Sequence, residues 1–397
     1  MPGTSVEPSS KLSRARLLVT FLAALALWLP NVHRLHRSTP ESRAAFVRTS
    51  VERQVDAKEN ATMRAVNPEW DFMRRTFSVL ALANVALAEE RPEERARLVA
   101  AIDALVDDTL RVERERGQLH FLMSYGSRGP FRDAEGKSIF VDGELVMMMS
   151  ARELVAPRAD YRQESRTRAS RIERVMRRGP VLSGESYPNE CWTFCNTTAL
   201  AALVMLDRLE APQGRGDASV LAREWVARAK ERLVDPRTGL LASSYTYDGA
   251  VLDGPEGSSI WMTAHNLLVL DPVFARDQYD RARRELGASV LGFGYAREWP
   301  RSSPVKNADV DSGPIVPFLE ASAGSSGLAI LGAAAFGDAA YRDELLASIS
   351  LVGFPDAQGR LRASNAVGDA VMFYALSYGP LHERVRPASR RGAGGAS

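Results

Sequence analysis

Along the chain, stretches that are apolar on every side alternate with stretches that carry one polar face. The amphipathic ones include Pro92–Arg116, Tyr161–Arg178, Ala218–Val234, Phe274–Leu286 and Ala339–Ser350. Between them lie Glu69–Ala88, Gly143–Val155, Cys191–Leu206, Ser259–Leu270, Ile315–Phe336 and Ala366–Ser377, apolar nearly all round. Both kinds read as helices, about twelve from Glu41 onward, with few strands. A helix with one polar face lies outside, and a helix without one is buried. The alternation therefore predicts hairpins of one outer and one inner helix.

A junction recurs after outer helices. Gly117–Ser124 (GQLHFLMS) returns as Gly239–Ser244 (GLLASS) and Gly359–Ser364 (GRLRAS), with a weaker copy at Gly179–Ser183 (GPVLS). The implied repeat is about 60 residues, one hairpin plus a long loop. Six such hairpins suggest an all-α, (α/α)6 toroid in which six inner helices close a ring inside six outer ones. Residues 41–385 contain no Pro/Gly/Ser-rich linker and read as a single domain. Residues 386–397, rich in Arg, Gly, Ala and Ser, read as a disordered tail.

The N-terminus, residues 1–40, reads as an address. Lys11, Arg14 and Arg16 precede 13 apolar residues, Leu17–Leu29, which Pro30 ends. This is the pattern of a signal peptide or an uncleaved signal-anchor. The run is short for a span, which needs roughly 20 residues. Ala24 and Ala26 lie inside the run, so no clean cleavage site follows. Either reading exports the body, as a periplasmic protein or one anchored in the inner membrane by residues 17–29.

Composition narrows the function classes. With 397 residues, 45% hydrophobic and 25% charged, the chain is neither disordered nor a disulfide scaffold. A net charge of +2 gives no electrostatic footprint for nucleic acid. Two cysteines and five histidines, three of them (His33, His36, His382) near the termini, argue against a metal site. No phosphate-binding glycine loop and no Gly-x-Ser-x-Gly elbow is present, so no cofactor is expected.

The loops leading into the inner helices are rich in acids, tryptophan and glycine. In a toroid these helix starts share one end and surround one cavity, which Trp70, Trp192 and Trp261 would line. Asp142 and Glu144 flank a glycine before an apolar run, where a carboxylate needs a partner or a chemical role. Asp309 and Asp311 in DVDSGP, and Glu69 and Asp71, pose the same choice. Asp253, Ser258 and Asp369 read as helix N-caps. His265 lies on an inner helix, as a core histidine or as a base at neutral pH. Cys191 and Cys195, four residues apart, share a helix face and project too nearly parallel for a disulfide. They pack as small core residues, or Cys195 serves as a catalytic thiol beside Asn196 and downstream of Tyr187. Tyr245 and Tyr247 follow the second junction, within reach of the cavity rim.

The stretch Ser186–Leu209 (SYPNECWTFCNTTALAALVMLDRL) resembles the bacterial linalool dehydratase/isomerase family. So do Leu233–Tyr245 (LVDPRTGLLASSY), Met262–His265 (MTAH) and Leu270–Phe274 (LDPVF), with looser similarity over 139–152 and 307–337. The similarity covers roughly residues 60–380. It implies an α/α six-hairpin barrel, which agrees with the repeat count. It also implies cofactor-free acid/base chemistry on an allylic monoterpene alcohol, using two cysteines, a histidine, an aspartate and tyrosines in a hydrophobic channel. Cys195 matches the second family cysteine and Tyr245 a family tyrosine. Ser186 stands where the family has its first cysteine, and Glu144 where it has its histidine. These two replacements point away from linalool itself as the substrate.

Three readings follow. The first is a cofactor-independent lyase or isomerase acting on a hydrophobic, terpenoid-like alcohol. The acid is Glu144 or Asp142, and the base is Cys195, His265 or Asp311. The second is a carbohydrate-active enzyme, because α/α toroids host glycosidases, lyases and epimerases and fold does not decide function. Paired carboxylates with tryptophan platforms suit glycan cleavage. The third is a non-catalytic scaffold at the cell envelope. The expected partner is a small molecule, a hydrophobic alcohol or a glycan. Membrane association through the leader and assembly into homo-oligomers stay open.

Overall fold

The structure, a computed structural model, describes residues 10–54, 63–210, 217–304 and 312–385. The leader forms α1 (Ser10–Trp28) and α2 is Pro40–Arg53. The body continues with α3 (Pro68–Ala88), α4 (Pro92–Arg116), α5 (Ile139–Val155), α6 (Ala159–Arg178) and α7 (Thr193–Glu210). Next come α8 (Asp217–Arg232), α9 (Gly257–Leu270), α10 (Pro272–Glu285), α11 (Ala323–Phe336) and α12 (Ala339–Gly353). The last two are α13 (Ala366–Ser377) and α14 (Pro380–Val385).

The odd-numbered helices from α3 to α13 pack each on the next, and α13 packs back on α3. That closure makes a ring of six inner helices, the (α/α)6 toroid. Outside it, α4, α6, α8, α10 and α12 pack against the ring. The sixth outer helix is α2, which packs on α13. Its amphipathic signal is short, since only Phe46 and Ser50 are buried. Prolines at the first turn start α2, α3, α4 and α10, where the missing N–H costs nothing. Inner helices approach closely through small residues. A Cβ on Gly143 of α5 would stand 2.9 Å from the Ala199 Cβ of α7.

Short turns join each inner helix to the next outer one, and long loops lead back. The ring thus has a mouth where the inner helices begin and a far end where they finish. The far end is covered by α14, which packs on α3, α5 and α7. The Leu381 backbone N–H donates to Asn84 Oδ1 at 2.9 Å. The junction glycines Gly117, Gly239 and Gly359 share a positive φ of 77°, 70° and 79°, which side chains rarely adopt. The weaker copy departs, with Gly179 at φ −67°.

Short strands decorate the mouth. β1 (Cys191–Trp192), β2 (Ser244–Tyr245) and β3 (Val251–Asp253) form one antiparallel sheet. β4 (Gly287–Val290) pairs with β5 (Phe293–Ala296), and β6 (Ile315–Val316) with β7 (Ala321–Ser322). They correct several expectations. The entry to the fifth inner helix begins as a hairpin, so α11 starts at Ala323 and not at Ile315. Cys191 pairs with Tyr245 in the sheet, so it does not share a helix face with Cys195. Asp253 lies in β3 and accepts from the Ser244 hydroxyl, instead of capping a helix. Ser258 lies within α9, whose N-cap position is Glu256. Asn365 caps α13 through the Gly368 N–H at 2.8 Å, while Asp369 pairs with Arg53 of α2 at 2.8 Å.

Pro30 does not end the leader helix. The chain runs on as a 3-10 helix, Leu29–His36. Together Arg14–His36 give 23 helical residues, long and apolar enough by length and composition to cross a membrane, and the body buries none of that span. The leader is therefore longer than the apolar run alone suggested.

Candidate functional site

The loop before β1 builds one wall of the mouth. Tyr187-Pro188-Asn189-Glu190 is a tight turn, with Glu190 N–H donating to the Tyr187 carbonyl at 2.9 Å. Proline at its second position and Asn189 at φ 59° at its third are what a type II turn requires. The buried Glu185 carboxylate holds the loop by accepting from the N–H groups of Arg132 (2.9 Å), Asp133 (2.8 Å) and Asn189 (2.6 Å). Asn196 of α7 fastens it from below, accepting from Gly184 N–H at 2.8 Å and donating to the Gly184 and Trp192 carbonyls at 3.0 Å each.

This framework places Cys195, in the first turn of α7, against Ser186. The Cys195 thiol is buried, with the Ser186 side chain beside it favouring its ionised form. Burial pushes the thiol well above its ordinary range, and the nearby carboxylates of Glu69, Glu144 and Glu190 add to the effect. The thiol is therefore neutral at physiological pH, although a helix N-terminus alone would lower it. Ser186 Oγ also accepts from the Trp192 N–H at 3.2 Å.

Glu144, on α5, is 3% exposed. Burial raises its carboxyl from 4.5 to about 7, with the Thr76 hydroxyl of α3 pulling the other way. It is a carboxylic acid that is substantially protonated at neutral pH, a state suited to donating a proton. Glu69, at the start of α3, accepts a hydrogen bond from the Tyr187 phenol. That phenol also accepts from the Met123 N–H at 2.9 Å, and its ring stacks on Tyr125 at 4.4 Å. Burial, then the Glu69 charge, holds the Tyr187 phenol far above its usual range. Trp192 Nε1 donates to Glu190. Trp70 is half-buried, beside the backbone at Gly313.

The mouth therefore brings together Glu144, Cys195, Tyr187 and Trp192 of the expected residues, with Trp70 at its edge. Others are elsewhere. Asp142 points outward, taking Arg168 at 2.8 Å and Arg171 at 2.6 Å from outer helix α6. Asp71 is paired with Arg74 and Arg75 of its own helix. Trp261 is fully buried between the helix layers, its Nε1 donating to Ser325 at 3.1 Å and its ring against Tyr279 and Tyr341 of outer helices. Tyr245 is buried beneath the loop, its phenol 2.7 Å from Ser183 Oγ. Cys191 is wholly buried in β1. His265 lies toward the far end, with Nε2 3.1 Å from the Tyr374 phenol, which is 3.4 Å from His382 Nε2 on α14. His382 is thus part of the folded interior. Asp309 and Asp311 lie outside the described residues, as does the 386–397 tail.

Thr76 and Tyr125 are the mouth residues that the sequence did not single out for chemistry, and Glu69 it ranked no higher than Asp71. Glu69 follows Pro68 at a helix start, where an acid is ordinary. The signal that separates it from Asp71 is the absence of an arginine three or four residues on.

No family model matches the chain, and no curated protein matches it. Among solved structures it is similar to the GH76 α-mannanase of Bacteroides thetaiotaomicron, at 12% identity and a TM-score of 0.48, over 79% of this chain and 86% of that one. It is also similar to the GH76A α-1,6-mannanase of a Salegentibacter species, at 9% identity and a TM-score of 0.47, over 77% and 88%.

Proposed function

We propose that the chain is a cofactor-independent acid/base enzyme of the linalool dehydratase/isomerase type, acting on a hydrophobic alcohol other than linalool. The observation that carries this is the meeting of Glu144, Cys195 and Ser186 in one buried mouth. These are three positions the family resemblance assigns to catalysis, drawn from two separate parts of the chain. Protonated Glu144 donates its proton to the substrate hydroxyl, which leaves as water. Glu69, held by Tyr187, takes the proton from the neighbouring carbon, and a double bond forms. The neutral Cys195 thiol and Ser186 hydroxyl hold the departing oxygen. Trp192 and Trp70 offer π faces to the positive charge that develops on carbon. Export, with α1 as the anchor, belongs to the same proposal.

A second reading is a carbohydrate-active enzyme. It is favoured by the three carboxyl groups Glu69, Glu144 and Glu190 around Cys195, and by tryptophans suited to stacking on sugar rings. Here Glu144 protonates a glycosidic oxygen, and the thiol is incidental.

One experiment separates them. The full chain and its Glu144→Gln, Glu69→Gln and Cys195→Ala variants are assayed on terpenoid alcohols and on a glycan panel. The first reading predicts turnover of an alcohol, lost in Glu144→Gln and reduced at least tenfold in Cys195→Ala. Glycan cleavage that survives Cys195→Ala would establish the second and overturn the first.

A further inference from the structure

Part of the mouth rim is built against its own interests. Among the described residues, six that are not glycine have a left-handed backbone, and three of these are bulky, exposed and apolar: Leu291 (φ 54°), Phe318 (66°) and Phe354 (49°). A left-handed backbone is disfavoured for such side chains, and exposing them forgoes the gain from burial. Phe318 is fully exposed. With Val290, Leu319 and Val352, also exposed, they form an apolar collar on the tips of two hairpins and the end of α12.

This collar adjoins the leader. The 3-10 helix leading out of α1 sets His33 and His36 against Phe293 of β5, at 6.4 and 6.0 Å between ring centres. The backbone at Gly292 lies against the His33 ring. His36 Nδ1 is 3.5 Å from Ser350 Oγ, near the end of α12. β7 packs beside β5, with Arg297 bridging to Ala321, and so brings the Phe318 turn to the same side. The segment that carries Phe318 also passes Trp70, since a Cβ at Gly313 would stand 4.0 Å from its ring. Arg34 and Arg37, exposed at the foot of the apolar helix, suit phosphate headgroups.

We propose that the collar is a membrane-docking surface. The bilayer that takes α1 also receives Leu291, Phe318, Val352 and Phe354 at its interface, so that the mouth of the barrel opens beside lipid. Continuity with the uncovered apolar span of α1 identifies the occupant as a bilayer. The proposal is independent of which reaction the mouth performs.

The test uses the full wild-type chain in phosphatidylcholine vesicles that contain a lipid with a photoactivatable diazirine in its acyl chain. Irradiation is followed by peptide mass spectrometry. The expected result is lipid adducts on the peptides carrying Leu291, Phe318 and Val352 as well as on residues 17–28. None is expected at Val273, which is equally open but starts α10 at the far end. Adducts confined to the leader would overturn the proposal. Disulfide-linked dimers of Phe318→Cys in vesicles, with no lipid adducts at the collar, would also overturn it by showing a second copy as the occupant.

Discussion

The Ser186 hydroxyl stands against the Cys195 thiol, one from the loop before β1 and the other from the first turn of α7. The pairing places two small, neutral, hydrogen-bonding groups where a thiolate would be strongly disfavoured. Burial dominates at Cys195, and Glu69, Glu144 and Glu190 add negative potential. The folded protein should therefore resist alkylation by iodoacetamide at pH 7.5. Its thiols should react at least about tenfold more slowly than free cysteine. Rapid labelling of Cys195 in the native state would show a thiolate there.

Glu144 makes stability depend on pH in a defined direction. Its carboxyl titrates near 4.5 when unfolded and at about 7 when folded. Between those values the folded state holds a proton that the unfolded state releases, so stability falls as pH rises through this window. The full cost above pH 7 is about 3 kcal/mol. Glu144→Gln should abolish turnover. It should also gain about 3 kcal/mol on the wild type between pH 4.5 and 8 in urea unfolding. A pH-independent difference between the two would place the titration elsewhere.

Tyr187 reaches both Glu69 and the Met123 N–H through one oxygen. Tyr187→Phe keeps the stack on Tyr125 and removes both hydrogen bonds. The expected cost to stability is about 1 kcal/mol. The expected loss in kcat is roughly tenfold to a hundredfold with little change in KM, because the phenol no longer orients the Glu69 carboxylate. An equal loss in KM would make Tyr187 a substrate contact instead.

The ring was legible in the sequence because outer helices differ from inner ones in kind, and the junction glycines mark the period. Which side of an inner helix faces the axis was not legible. A helix that is apolar all round has no face to read, so Trp261 was expected in the cavity and lies instead between the layers. The same blindness applies to Asp142 and Glu144. They stand two residues apart on α5, on opposite sides. Only the outer-helix arginines Arg168 and Arg171, more than 20 residues on, decide that Asp142 is an ion-pair partner. The two- and three-residue strands were too short for any alternation to register.

Asp142 consequently serves as the control for Glu144. Asp142→Ala takes one carboxylate from buried Arg168, which keeps Glu113 and Glu164, and breaks the ion pair to half-buried Arg171. It should cost about 1–3 kcal/mol of stability. The fraction that remains folded should keep its kcat and its pH profile. Loss of kcat in a variant that still melts cooperatively would return Asp142 to the site.

The account turns on a neutral carboxylic acid standing beside a neutral thiol. Infrared difference spectroscopy of the wild type against Glu144→Gln, titrated from pH 4 to 9, observes that acid directly through its protonated carbonyl stretch. The predicted result is a band present at pH 5 and lost with a midpoint near 7. A band already absent at pH 6 would mean that Glu144 is an ordinary ionised carboxylate, and the proposed proton donor would be gone.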